Sequence, residues 1–113
     1  MSRVALATLC AFAVLAGDAV AAEHGATPFV VTYQCDGGRW LAVGYPAFKD
    51  ASRAPIRLSW EGRTVELLPA RAASGARYVN SKADLEWWSK GDTGFLQRAS
   101  DPNRQLVTGC VER

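Results

Sequence analysis

The amino-acid sequence predicts an all-β protein, a small antiparallel β-barrel of about eight short strands. Strand-forming runs recur along the chain, with turn residues between them about every eight to twelve positions. No segment shows the 3.6-residue apolar spacing of an amphipathic helix. The chain has 113 residues, and closing so small a sheet into a barrel removes its exposed strand edges. A two-sheet sandwich is the alternative architecture.

The first 22 residues indicate a secretory signal peptide that precedes the fold. An apolar run from Val4 to Ala16 is followed by small residues suited to cleavage. This run is shorter than the about 20 apolar residues of a membrane-spanning helix, so no transmembrane segment is predicted. Because Leu9 precedes Cys10 where a lipoprotein signal has a small residue, we expect no lipid anchor. The mature domain, residues 23–113, is therefore expected to be periplasmic or secreted.

The first two predicted strands form a hairpin. Residues 29–35 alternate apolar and polar side chains and end at Asp36-Gly37-Gly38, a tight hairpin signal. Residues 39–45 return with apolar side chains again at every second position. Residues 46–55 begin and end with a proline and are predicted to form a longer loop.

A second hairpin follows. Residues 56–60 carry apolar side chains at every second position, Glu61-Gly62 supplies a two-residue turn, and Val65 and Leu67 continue the alternation on the returning strand. The remaining predicted strands cover residues 77–80, 85–89, 94–98 and 105–110.

Composition and charge exclude several classes of function. The chain has 13 Lys and Arg against 11 Asp and Glu, and no basic cluster of the kind that binds nucleic acid. Its single histidine, His24, excludes a multi-histidine metal site and is the one imidazole through which any Ser-His-Asp or Cys-His catalysis would have to run. The sequence therefore predicts no enzyme, no metal, no cofactor and no nucleic-acid partner.

Two cysteines remain once the signal peptide is removed. Cys35 and Cys110 lie near opposite ends of the mature domain. In a small exported domain, two cysteines indicate one disulfide. Two buried free thiols are the alternative.

Two short motifs distinguish this sequence from a generic small barrel. Residues 74–78 have the pattern Ser-Gly-x-x-Tyr, and residues 88–91 have the pattern Trp-x-Lys-Gly. Together with residues 33–38 and the closing Cys110, they resemble the family of membrane-bound lysozyme inhibitors of c-type lysozyme. The resemblance spans nearly the whole mature chain. It implies an eight-stranded barrel of the bacterial envelope whose protein target is c-type lysozyme.

The resemblance also implies how the target would be bound. Lysozyme cleaves sugars with a protonated acid and an ionised carboxylate. The Ser74 hydroxyl can hydrogen-bond a carboxyl group in either protonation state, and Lys90 suits the ionised one. Arg77 is a further candidate contact, and the two aromatic residues of the motifs mainly support the loops. The candidate target-binding residues are thus Ser74, Gly75, Arg77, Tyr78, Trp88, Lys90 and Gly91.

A different function class remains open from the residues alone. Trp87 and Trp88 point to opposite faces of their strand, so one indole is expected at the surface, where it could stack on a sugar. The alternative function is therefore a glycan- or peptidoglycan-binding module of the envelope that uses exposed Trp and Tyr. The scarcity of Asn, Gln and His weighs against it, because sugar sites need planar polar groups. Ser-Gly pairs and lone lysines are also common in ordinary turns.

Overall fold

The computed structural model describes residues 27–113, and the predicted signal peptide lies outside this range. Eight antiparallel strands form a closed barrel in which each strand pairs with its neighbours in sequence and the last pairs with the first. The predicted all-β class and barrel are therefore confirmed. Among the described residues, no helix has the length and hydrophobicity needed to cross a membrane. The strands are β1 (Phe29–Gln34), β2 (Trp40–Tyr45), β3 (Ile56–Trp60), β4 (Arg63–Ala70), β5 (Ala76–Asn80), β6 (Leu85–Lys90), β7 (Thr93–Arg98) and β8 (Asp101–Glu112).

The β1–β2 connection and the long loop differ in detail from the expectation. Asp36–Gly38 forms a single 3-10 turn, closed by a 2.8 Å hydrogen bond from the Cys35 amide to the Arg39 carbonyl. The loop between β2 and β3 contains a second 3-10 turn, Phe48–Asp50. Neither turn changes the barrel order.

Strand β8 begins four residues earlier than the sequence indicated. Asp101, Pro102 and Asn103 have turn-forming side chains, which predicts a loop. In the structure Asp101 already pairs with Arg98, and the β7–β8 register shifts through irregular positions before regular pairing resumes. Proline is tolerated in strands at such bulges, so the turn-like sequence lies inside a strand.

The barrel interior is filled by an aromatic cluster on β1, β2 and β6. Trp87 is fully buried, and its indole N–H donates to the Tyr45 hydroxyl at 3.1 Å. The Tyr33 and Tyr45 hydroxyls are 2.8 Å apart, and the Tyr33 ring meets Trp87 edge to face. A Cβ atom at Gly94 would lie 2.5 Å from the Trp87 ring. Only glycine on β7 therefore leaves room for this tryptophan.

The disulfide lies beside the seam that closes the barrel. Strands β1 and β8 pair through only two residue pairs, whereas β1 and β2 pair through six. Cys35 directly follows β1, and its bond to Cys110 on β8 joins the two strands covalently. The predicted disulfide is confirmed, and it reinforces the shortest pairing in the barrel.

Candidate functional site

One end of the barrel carries both sequence motifs. At this end, which we call the upper end, β4 is followed by a loop at residues 71–75, and β6 is joined to β7 by the turn Gly91-Asp92. We call residues 71–75 the Ser74 loop. The start of β1 and the long loop after β2 lie at the same end, because neighbouring strands run antiparallel.

The Ser74 loop packs directly against the end of β6. Ala76 pairs with Ser89, so the residue before Ala76 faces the residue after Ser89. Gly75 has a φ of +73°, and a Cβ atom at this position would lie 2.7 Å from the Ser89 carbonyl oxygen and 3.3 Å from the Lys90 Cβ. The glycine is thus required both by its backbone conformation and by the close approach. It brings the two motifs side by side.

Ser74 and Lys90 are exposed at this tip. Within residues 27–113, the Lys90 ammonium has no ion-pair partner. Both residues border one groove of about 420 Å³ on the outside of the barrel, together with Trp88, Phe95 and Gln105. The tip therefore presents a hydroxyl and a positive charge at the protein surface.

The turn that follows Lys90 is held in place by two hydrogen bonds. The Thr93 hydroxyl donates to the Lys90 carbonyl at 2.9 Å, and the Glu112 amide donates to the Asp92 carbonyl at 2.9 Å. Gly91 occupies the first position of this two-residue turn and is exposed. The backbone on which Lys90 sits is thus fixed from both β7 and β8.

Arg77 and Trp88 lie on the outer wall of the barrel below the tip. The Arg77 Nε donates to Glu86 Oε2 at 2.8 Å, and the Trp88 indole N–H donates to the same oxygen. Arg77 also donates through Nη1 to the Arg71 carbonyl at 3.1 Å and lies over the Trp88 ring. On its other side Trp88 stacks with Phe95, with ring centres 6.2 Å apart. We call Glu86, Arg77 and Trp88 the Glu86 cluster.

Tyr78 lies inside the barrel and is 7% exposed. Its ring contacts that of Tyr45, with centres 6.2 Å apart, and burial raises the pKa of its phenol above the ordinary value. Among the sequence candidates, Tyr78 is therefore part of the packing beneath the Ser74 loop, whereas Ser74, Gly75, Lys90 and Gly91 are at the surface.

An aromatic rim adjoins the tip and was not singled out from the sequence. Phe48 is 64% exposed and packs edge-on against Phe29, which stacks on Tyr45. These rings border a groove of about 320 Å³ whose lining also includes Ser89 and Gly91. The only sequence signal for the rim was an aromatic residue in a predicted loop.

The fold and the tip define a small disulfide-bridged barrel that presents two adjacent loops at one end. Residues 33–105, more than half of the chain, match the model of a family described as membrane-bound lysozyme-inhibitor of c-type lysozyme. The chain belongs to this family, as the motif resemblance implied.

Two curated relatives are each described as a membrane-bound lysozyme inhibitor of C-type lysozyme. One, from Cupriavidus necator, is 42% identical over 67 residues, which cover 59% of this chain and 50% of the relative. The other, from Yersinia enterocolitica, is 39% identical over 78 residues, which cover 69% of this chain and 58% of the relative. The matched part of the chain therefore spans between half and three fifths of the length of these relatives.

Proposed function

We propose that this protein inhibits c-type lysozyme by inserting the Ser74 loop and the Lys90 turn into the active-site cleft. The observation that supports the proposal best is the packing of Gly75 against Ser89 and Lys90, because it presents an exposed hydroxyl and an exposed ammonium at one tip. The descriptions of the family and of both relatives point to the same target.

The chemistry of the tip suits the chemistry of the cleft. The lysozyme cleft holds a carboxylic acid with a raised pKa and an ionised carboxylate. A serine hydroxyl donates to a carboxylate and accepts from a carboxylic acid, so Ser74 matches either group. Lys90 supplies a charge-assisted hydrogen bond to the ionised one. The tip would thereby bind both catalytic groups of lysozyme without any covalent change in the inhibitor.

The aromatic rim extends the proposed contact surface. A stable protein complex buries about 800 Å² on each partner, which is more than two loop tips supply. Phe48 and Phe29 are exposed apolar side chains, and their groove shares Ser89 and Gly91 with the tip region. We infer that they lie against the lip of the lysozyme cleft.

We also place the mature protein in the bacterial envelope, either in the periplasm or secreted. The predicted signal peptide and the Cys35–Cys110 disulfide support an oxidising compartment outside the cytoplasm. In this location an inhibitor would meet lysozyme before peptidoglycan is cut.

The proposal is tested by following the clearing of a bacterial cell suspension by lysozyme. Ser74→Ala and Lys90→Ala should each weaken inhibition about ten- to a hundredfold, since a hydrogen bond to a charged group contributes about 1.5 to 3 kcal/mol. Ser81→Ala with Lys82→Ala is a matched control, because these exposed residues lie in the β5–β6 turn at the opposite end. Equal inhibition by the wild type and the Ser74/Lys90 double variant would refute the assignment.

The pH dependence of binding provides a second test. The lysozyme carboxylate must be ionised to attract Lys90, so binding should weaken as the pH falls from about 6 to about 3. This slope should largely disappear in Lys90→Ala and persist in Ser74→Ala, provided that circular dichroism shows both variants folded. Glycan retention without lysozyme inhibition would instead favour the peptidoglycan-binding function.

A further inference from the structure

Glu86 is a buried carboxylate on the outer face of the barrel. Its neighbour Trp87 points inward, so strand alternation directs Glu86 outward, where glutamate is normally exposed. The residue is nevertheless only 4% exposed. A buried charge is costly unless it is paired and hydrogen-bonded, and Glu86 Oε2 accepts from both Arg77 Nε and the Trp88 indole.

The two donors connect this carboxylate to the two halves of the tip. Arg77 donates through its other arm to the Arg71 carbonyl, at the first residue of the Ser74 loop. Trp88 lies two residues before Lys90 on the same face of β6. One carboxylate oxygen is therefore linked to the loop that carries Ser74 and to the strand that carries Lys90.

We propose that Glu86 is a positioning residue, which fixes the Ser74 loop and Lys90 in one arrangement before the target arrives. This proposal rests on the proposed inhibition of lysozyme. A loop already ordered in the free protein loses less conformational entropy on binding. Glu86 itself lies below the tip and acts through Arg77 and Trp88.

The test compares Glu86→Gln with Glu86→Leu. The glutamine carbonyl can still accept from both donors, whereas leucine accepts from neither. In the free Glu86→Leu variant, the NMR order parameters of the backbone amides of residues 71–75 should fall from the about 0.85 of a rigid backbone toward about 0.6, and the Trp88 indole resonance should shift. Lysozyme inhibition should weaken about tenfold, and Glu86→Gln should restore most of both losses.

Glu66→Leu provides a matched control. Glu66 on β4 faces Arg57 on β3 at 3.7 Å, and both side chains are about 60% exposed or more. Removing this glutamate should change neither the order parameters of residues 71–75 nor the inhibition. Trp88→Phe assigns the indole resonance.

The outcomes separate this proposal from the proposed function. Unchanged order parameters of residues 71–75 in a folded Glu86→Leu variant refute positioning, whatever lysozyme does. Lower order parameters with full inhibition refute it as well, provided that Lys90→Ala is impaired. A wild type that does not inhibit lysozyme overturns the function and this inference with it. If Glu86→Leu does not fold, Arg77→Lys decides by the same readouts, because lysine lacks the forked guanidinium whose Nε and Nη1 donate separately to Glu86 and the Arg71 carbonyl.

Discussion

Replacing Gly75 with alanine tests whether the close approach of the two motifs produces the binding tip. At a φ of +73° any L-residue is strained by about 1 to 2 kcal/mol. The added Cβ would also lie 2.7 Å from the Ser89 oxygen, where ordinary contact begins at 3.4 Å. The loop must therefore retreat from the Ser89 carbonyl by about 0.7 Å, whereas binding groups must be held to within about 0.5 Å. We expect Gly75→Ala to weaken inhibition at least about tenfold.

Gly62→Ala separates the two contributions. Gly62 has a φ of +76° in the β3–β4 turn at the opposite end, and a Cβ atom there meets nothing within 4 Å. This variant should lose the same conformational energy, with a fall in thermal midpoint of about 4 to 8 °C for each kcal/mol. It should inhibit lysozyme fully. If Gly75→Ala inhibits as well as Gly62→Ala, the packing of the loop on β6 is irrelevant to the tip.

Three further predictions concern the disulfide, the rim and the core. The Cys35–Cys110 bond closes a loop with a sequence separation of 75 residues, so reducing it should lower the free energy of unfolding by about 4.5 kcal/mol. An unchanged urea midpoint of unfolding would contradict this. Phe48→Ser should weaken lysozyme inhibition about fivefold or more. Trp40→Ser, at the opposite end and 52% exposed, should leave inhibition unchanged. Equal effects of the two substitutions would show that the rim does not contact lysozyme. Burial raises the pKa of Tyr33 above the ordinary phenol value of about 10. The unfolded chain therefore loses that proton first, so the contribution of Tyr33 to stability should be constant up to about pH 10 and be lost above it. The alkaline loss of stability should be smaller in Tyr33→Phe.

The first half of the fold followed from local patterns because strands β1 to β4 alternate between core and surface. Tyr33, Leu41 and Leu58 are buried as their spacing predicts. The start of β8 could not be predicted from local patterns, because Pro102 belongs to a bulge whose position depends on the register between β7 and β8. Register is a property of two strands, so one strand's residues do not determine it.

The candidate site was likewise predictable from the sequence only in part. The resemblance identified Ser74 and Lys90, which lie at one tip. It did not identify Glu86, because a glutamate at an outward position is normally exposed. Its burial results from Arg77 and Trp88, which cover it only once β5 and β6 are paired. A search for opposite charges on diagonal positions of adjacent strands would have found the pair.

The spacing within each motif explains why a few residues can specify both a tip and its support. Tyr78 lies three residues after Gly75, and strand alternation turns it into the core, where it is buried beneath the loop. Trp88 and Lys90 are two residues apart, so both face outward, the indole on the wall and the ammonium at the edge. The hydrogen-bonding capacity of the indole is used within the protein by Glu86. Each motif thus pairs a side chain that is committed to the barrel with one that is exposed at the upper end, which is the arrangement that the proposed insertion into a cleft requires.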